Sequence, residues 1–385
     1  MKASIKHYSI IVFCSLAVTV AKAQTYSLDS VLRRIDREHR MLQEYDHKAQ
    51  ALNAYAQGAN SWMAPMVGVG TFMTPYPGQN LSEGRDKGSL MISVEQAVPN
   101  PARLSATKRY LESRAAVETQ GRAIQYNALR AEARELYYST LVLEEKRSIL
   151  RENEQIVNLM IKLARIRYPY NQGSLASIYK AEGRLSEVQN EIEMTEAETE
   201  ENQYRLKALM NLPAATAFRI DTATRVTFNA QRLAADTAVL TQQRSDIKQI
   251  DASINTMRLN QQLQRYQARP DFKLRFDHMQ PLGNMMPAQF TAMAMVSIPI
   301  APWSSRMYRA EVKGMQYDIV AMQKGREAIL LETRGMLAGL TARIGRMQQQ
   351  LDNYTKRIIP ALRRNYETLM LGYEENREQL PAVID

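Results

Sequence analysis

Three histidines, His39, His47 and His278, and the methionines Met279, Met285 and Met286 beside the last of them are the residues of this sequence best suited to holding a ligand or metal. The histidines form no HExxH arrangement, and the sequence has no GxSxG elbow and no glycine-rich phosphate loop. Its one cysteine, Cys14, lies near the N-terminus, which argues against a zinc or iron–sulfur site, a disulfide scaffold or a cysteine nucleophile. Thioethers around His278 would suit Cu(I), but flexible apolar filling is the commoner use of methionine. No catalytic, cofactor-binding or metal residue is assigned, and the chain reads as something other than an enzyme.

The sharpest chemical pattern is an alternation. Asp271, Lys273, Arg275 and Asp277 interleave with Phe272, Leu274 and Phe276 directly after Pro270, so a strand here puts four charges on one side and three apolar residues on the other. A return strand at 290–298 follows the loop Pro281-Leu282-Gly283-Asn284. An earlier pair has the same form: Met66 to Met73 after Pro65, then the turn-rich 74–80, then 89–96 with Leu90, Ile92 and Val94 on one face. Singly, each hairpin also fits a half-buried soluble sheet. Membrane strands need only about nine to eleven alternating residues. Four of them cannot close a barrel, which takes about eight, and open edges are not tolerated in lipid. On a membrane reading several chains must therefore contribute, with Phe272, Leu274 and Phe276 facing lipid and Asp271, Lys273, Arg275 and Asp277 facing a polar lumen. Trp62 before the first hairpin and Trp303 after the second would sit at the membrane interface, where indoles are favoured.

The rest of the chain positions these strands. Of 385 residues, 23% are charged and only 7% aromatic, which favours elongated helices over one compact core. Residues 1–23 read as a secretory signal peptide: Lys2 and Lys6, an apolar run from Ile10 to Val18, then Ala21-Lys22-Ala23 before Gln24. Cys14 follows Ile11-Val12-Phe13 rather than the small residues of a lipoprotein site. Cleavage would remove three lysines from a formal charge of +10. Lysine and arginine interleave with acids along the helices instead of forming a patch, so nucleic acid is not an expected partner.

From Pro101 to Arg167 no proline interrupts a seven-residue repeat of Leu129, Leu136, Leu143, Leu150 and Val157, accompanied by Val142, Ile149, Ile156 and Leu163. Such a helix would be roughly 100 Å long and would supercoil against neighbours. Leu330, Leu337, Ile344, Leu351 and Ile358 repeat the spacing later, with Pro360 expected to kink the helix. The two halves align at an offset of roughly 200 residues. Each has a helix (28–61; 234–267), a hairpin (66–97; 271–299), a proline-marked exit, a long helix and a tip (168–177; 373–380). The first repeat, 24–213, ends on a return helix closing at Asn211-Leu212-Pro213. A polar connector, 214–233, with short strands expected at 218–220 and 226–228, leads to the second repeat, 234–385.

This order resembles the TolC-like outer-membrane efflux proteins, or channel-tunnels, over the whole chain after residue 23. The resemblance rests on the duplicated plan, the proline-flanked strands, Tyr170 and Gly173 at the tip and the Asn-Leu-Pro closure. It implies a mainly α fold with a small β part: a homotrimer in which long helices form an α-barrel and two β-hairpins per chain supply four strands to a transmembrane β-barrel. It also implies partners, namely a periplasmic adaptor protein, an inner-membrane efflux pump and outer-membrane lipid. Tyr170, Gly173, Ser174, Leu175 and Ser177 align with the adaptor-docking turn, and glycine would permit a left-handed turn there; the competing reading is a simple helix cap. Tyr373, Arg377 and Asp385 fall near the inner constriction, where a carboxylate ring would favour cations. Asn376 stands where glycine is usual and Glu378 where a basic partner is often found. The cation-efflux branch makes metal cargo conceivable. A returning helix is missing after 380, so about 30 further residues are expected by the repeat; the alternative is a shortened chain whose gap an adaptor or neighbouring subunit fills. The rival classes are a periplasmic adaptor, which would carry one helical hairpin rather than two interrupted ones, and a coiled-coil structural protein, whose heptads would not be broken by paired strands.

Overall fold

The structure is a computed structural model describing residues 24–78, 87–223, 239, 242–283, 286–299, 302–375 and 377. The signal peptide, the expected strand at 226–228, Asn284, Met285, Asn376, Glu378 and Asp385 lie outside the described residues. The chain divides into two compact units.

In the first unit, residues 24–35 and 132–223, strand β1 (Gln24–Tyr26) leads into helix α1 (Leu28–Glu38). The long helix is continuous over Pro101–Arg167; here it is numbered α3, after helix α2 (Arg40–Gly58). Its C-terminal half lies in this unit, where Leu136, Leu143, Leu150 and Val157 are buried, so the first heptad stripe is a packing seam. Of the accompanying set, Val142 and Ile149 are exposed while Ile156 and Leu163 are half-buried. Helix α4 (Leu175–Leu209) returns antiparallel, its direction fixed by Arg165–Glu182, Arg151–Glu196 and Arg205–Glu132 at 2.6, 2.8 and 3.0 Å. It buries Ile178, Ala181, Val188, Thr195, Thr199 and Leu206, a three–four spacing matched to the α3 seam. The buried hydroxyls of Thr195 and Thr199 donate to the carbonyls of Glu191 and Thr195, both at 2.7 Å, and so cost little. Strand β4 (Phe218–Ile220) pairs parallel with β1, a partner the sequence did not disclose.

In the second unit, residues 36–131 and 239–377, the helix expected over 28–61 breaks at His39, which is extended at ψ 124°. The break is compensated by side chains. Arg122 Nη2 donates to the Asp36 carbonyl at 2.9 Å and Gln43 Nε2 to that of Arg37 at 3.1 Å, capping carbonyls that a continuous helix would have used. Arg122 also pairs with the Asp36 and Asp46 carboxylates at 3.0 and 2.9 Å. Beside it, a Cβ on Gly121 would meet the Tyr45 ring at 2.9 Å, so any side chain there would have to displace the tyrosine.

Strands β2 (Met66–Phe72) and β3 (Ser89–Val98) form the first hairpin. Helix α5 (Ser245–Arg265) precedes β5 (Asp271–Pro281) and β6 (Gln289–Ser297). The four strands make one antiparallel sheet in the order β2-β3-β5-β6. Gly88, at φ 75°, closes its outer end: a Cβ there would lie 2.8 Å from Thr74 Cα and 2.9 Å from the Phe72 carbonyl oxygen. Helix α6 (Pro302–Asn353) passes through a π-helical turn, Tyr354–Ile358, into α7 (Ile359–Glu374). Pro360 has no N–H and its ring crowds the preceding turn, which accounts for the interruption one turn before it. The second heptad stripe is buried at Leu330 alone. Leu351 and Ile358 are exposed, with Leu340, Met347, Tyr354 and Leu362 beside them, and no helix among the described residues covers this face.

Candidate functional site

Strand register assigns every side chain of the sheet to a face. One face carries Val67 and Val69, Leu90, Ile92 and Val94, Phe272, Leu274 and Phe276, and Phe290, Ala292, Ala294 and Val296. Leu274 is 53% exposed, as are Phe272 and Phe276 at 46% each. Phe276 and Phe290 stack at 5.7 Å, consolidating an exposed apolar surface. A contiguous apolar surface of this kind calls for lipid or protein against it.

The opposite face holds every charge of the four strands: Glu95, Asp271, Lys273, Arg275 and Asp277. All are ion-paired. Lys273 Nζ lies 2.9 Å from Glu95 Oε1, Arg275 Nε donates to Asp277 Oδ1 at 2.9 Å, and Arg103, from the first turn of α3, approaches Asp271 at 3.6 Å. Asp277 is only 3% exposed. The expected alternation on β5 is thus present residue for residue. Glu95 and Arg103, its counter-charges, were missed: Glu95 is a single charge in an otherwise uncharged strand, and Arg103 belongs to a helix.

The same register places Met66, Met91, Met279, Met293 and Met295 on the charged face, and no strand methionine on the apolar one. His278 lies on the apolar face, paired opposite Phe290. It therefore points away from Met279, and the two do not converge on one ion as their adjacency in sequence suggested. No group of three or more His, Cys, Asp or Glu able to hold a metal occurs among the described residues.

At the far end of α3 a 3₁₀ turn, Tyr168–Tyr170, leads to Asn171 at φ 57°. The left-handed residue is Asn171 and not the expected Gly173; asparagine tolerates this conformation through local hydrogen bonding by its short side chain. Ser174 is the N-cap of α4, its Oγ accepting from Ser177 N at 3.2 Å and lying 2.8 Å from Ser177 Oγ. Two of the five tip residues thus hold the helix start, with Ser177 buried. Tyr170 and Leu175 are exposed, joined by Tyr168 and Tyr179. Tyr179 was overlooked, though its spacing of four from Leu175 puts it on the same helix face. Of the constriction candidates, Tyr373 is buried, and Arg377 is exposed with Nε 3.2 Å from Glu375. Trp62 and Trp303 flank the sheet, both largely exposed.

Long antiparallel helices joined to a small sheet with one apolar and one charged face define a mainly α protein with a TolC-like fold. No protein-family model and no curated protein sequence matches the chain. Solved structures do. The outer-membrane channel OprN superposes with a TM-score of 0.73 at 15% identity, covering 93% of this chain and 82% of that one. CusC, studied for its folding and transmembrane channel formation, gives 0.69 at 14% identity over 93% and 84%. The Campylobacter jejuni CmeC outer membrane channel gives 0.71 at 12% identity over 100% and 87%. At such identities the likeness is one of fold.

Proposed function

We propose that this chain is one protomer of a homotrimeric outer-membrane channel that passively conducts substrates from a periplasmic adaptor and inner-membrane pump to the exterior. The observation that carries the reading is the two-faced sheet: four strands, open at β2 and β6 among the described residues, with an exposed apolar surface on one side and all strand charges on the other. Lipid suits the first side and water the second, and both open edges need partners in lipid. Three copies supply twelve strands. Trp62 and Trp303, at the helix-proximal end of the sheet, suit the membrane interface. The tip of α3 and α4, with Tyr170, Leu175 and Tyr179 exposed, is the surface for an adaptor. Arg377, with the buried Tyr373 beside it in sequence, belongs to the tip of the second repeat, the constriction region on this reading. That outer-membrane channels share the fold supports this reading.

The test is to extract the protein from membranes in mild detergent and to follow its oligomeric state and its conductance in a planar bilayer. A heat-stable trimer from the outer-membrane fraction that conducts is expected. A monodisperse monomer, soluble without detergent, would overturn the reading.

A further inference from the structure

The charged face of the sheet has no net charge. Its carboxylates, Glu95, Asp271 and Asp277, equal in number the cations that reach them, Lys273, Arg275 and Arg103, and each is paired within the protomer. The pairing is built into the register. Lys273 stands one step along the face from Arg275, the residue opposite Glu95, which brings its Nζ diagonally onto the Glu95 carboxylate. Arg275 and Asp277 lie two apart on one strand, hence on one face. The remaining strand residues of this face are uncharged: most are small, hydroxyl-bearing, amide or thioether groups such as Gly68, Ser93, Thr291, Gln289 and the methionines, with Phe72 and Pro281 at the outer end. None adds a charge.

We propose that Glu95 and Asp277 determine the ionic specificity of the barrel: they compensate Lys273 and Arg275, keep the wall neutral, and so admit solutes without sorting them by charge. This rests on the channel reading above. A close ion pair acts on a passing ion as a dipole, whose field decays faster than that of one charge, and mobile salt screens the remainder within about 8–10 Å at ordinary ionic strength. A residue freed of its counter-charge would instead appear three times around a trimeric lumen, and rings of like charge are the device by which pores select ions. The neutral wall fits cargo of either sign, or zwitterionic and uncharged molecules, while a single substitution converts it to a selective one.

The experiment is the reversal potential of the purified full-length channel in a planar bilayer under a potassium chloride gradient. Glu95→Gln frees Lys273 and is expected to shift the potassium-to-chloride permeability ratio toward chloride by about twofold or more. Lys273→Met is expected to shift it toward potassium, and the double variant to return to the wild-type value. Asp277→Asn, Arg275→Met and their double repeat the design at a second pair, so that failure of one variant to assemble does not end the test. Unshifted single variants at both pairs, or doubles that stay as far from wild type as the singles, overturn the proposal. Wild-type protein that does not conduct at all overturns the channel reading, and the proposal falls with it.

Discussion

The hydroxyl of Tyr137, on α3, donates to the main-chain carbonyl of Asp221 at 2.9 Å while its side chain is wholly buried. The Tyr26 carbonyl lies 3.3 Å from the same oxygen and itself accepts from Asp221 N at 3.0 Å. One phenol thus ties the long helix to the ends of β1 and β4. Tyr137→Phe keeps the packing and removes the donor, leaving a part-buried carbonyl short of a partner. It should cost about 1–2 kcal/mol. Amide exchange at Asp221 should then rise by roughly tenfold, and an unchanged rate would show that water replaces the phenol.

On the channel reading Leu274 faces mid-membrane lipid. Leu274→Arg should lower the stability of the assembled barrel by roughly 2–4 kcal/mol. Heat-modifiability on gels and membrane fractionation read this directly. Wild-type levels of membrane-inserted trimer would place Leu274 away from lipid.

Ser174 and Leu175 are neighbours with separable roles. Ser174→Ala removes the cap of α4 and should cost about 1 kcal/mol, seen as faster exchange in the first turn, with trimers and export retained. Leu175→Asp alters an exposed side chain and should abolish export while trimers persist. Normal export in Leu175→Asp would remove the tip from the docking surface.

A pH dependence is expected at the start of α5. The guanidinium of Arg244, donating to Asp246 at 2.9 Å, and the Ile247 amide hold the Asp246 carboxyl below its usual value of 3.8. A carboxyl depressed by folding contributes stability above its unfolded pKa and loses it as pH falls through the folded one. Asp246→Asn should therefore lower the unfolding temperature at neutral pH and match wild type once the pH is well below 3.8. A difference that persists undiminished in acid would locate the effect in packing.

Local patterning was enough for much of this fold. Alternation over 271–277 settled which β5 residues share a face, because a strand has period two whatever surrounds it. The heptad of Leu136, Leu143, Leu150 and Val157 likewise located one apolar face of a helix, since residues repeating every seventh position fall on one side of it. Other features depended on neighbours distant in sequence. The β1–β4 ladder involves three-residue strands too short to show a period. The break at His39 is stabilised by Arg122, more than eighty residues away, and the charges that neutralise Lys273 and Asp271 come from another strand and a helix. His278 and Met279, adjacent in sequence, were separated by the pleat onto opposite faces. Spacing also could not say whether a stripe would be covered. Leu136 and Leu351 have the same pattern around them, but among the described residues only Leu136 has a helix such as α4 to bury it, because burial is decided by the partner surface and a stripe supplies only half of it.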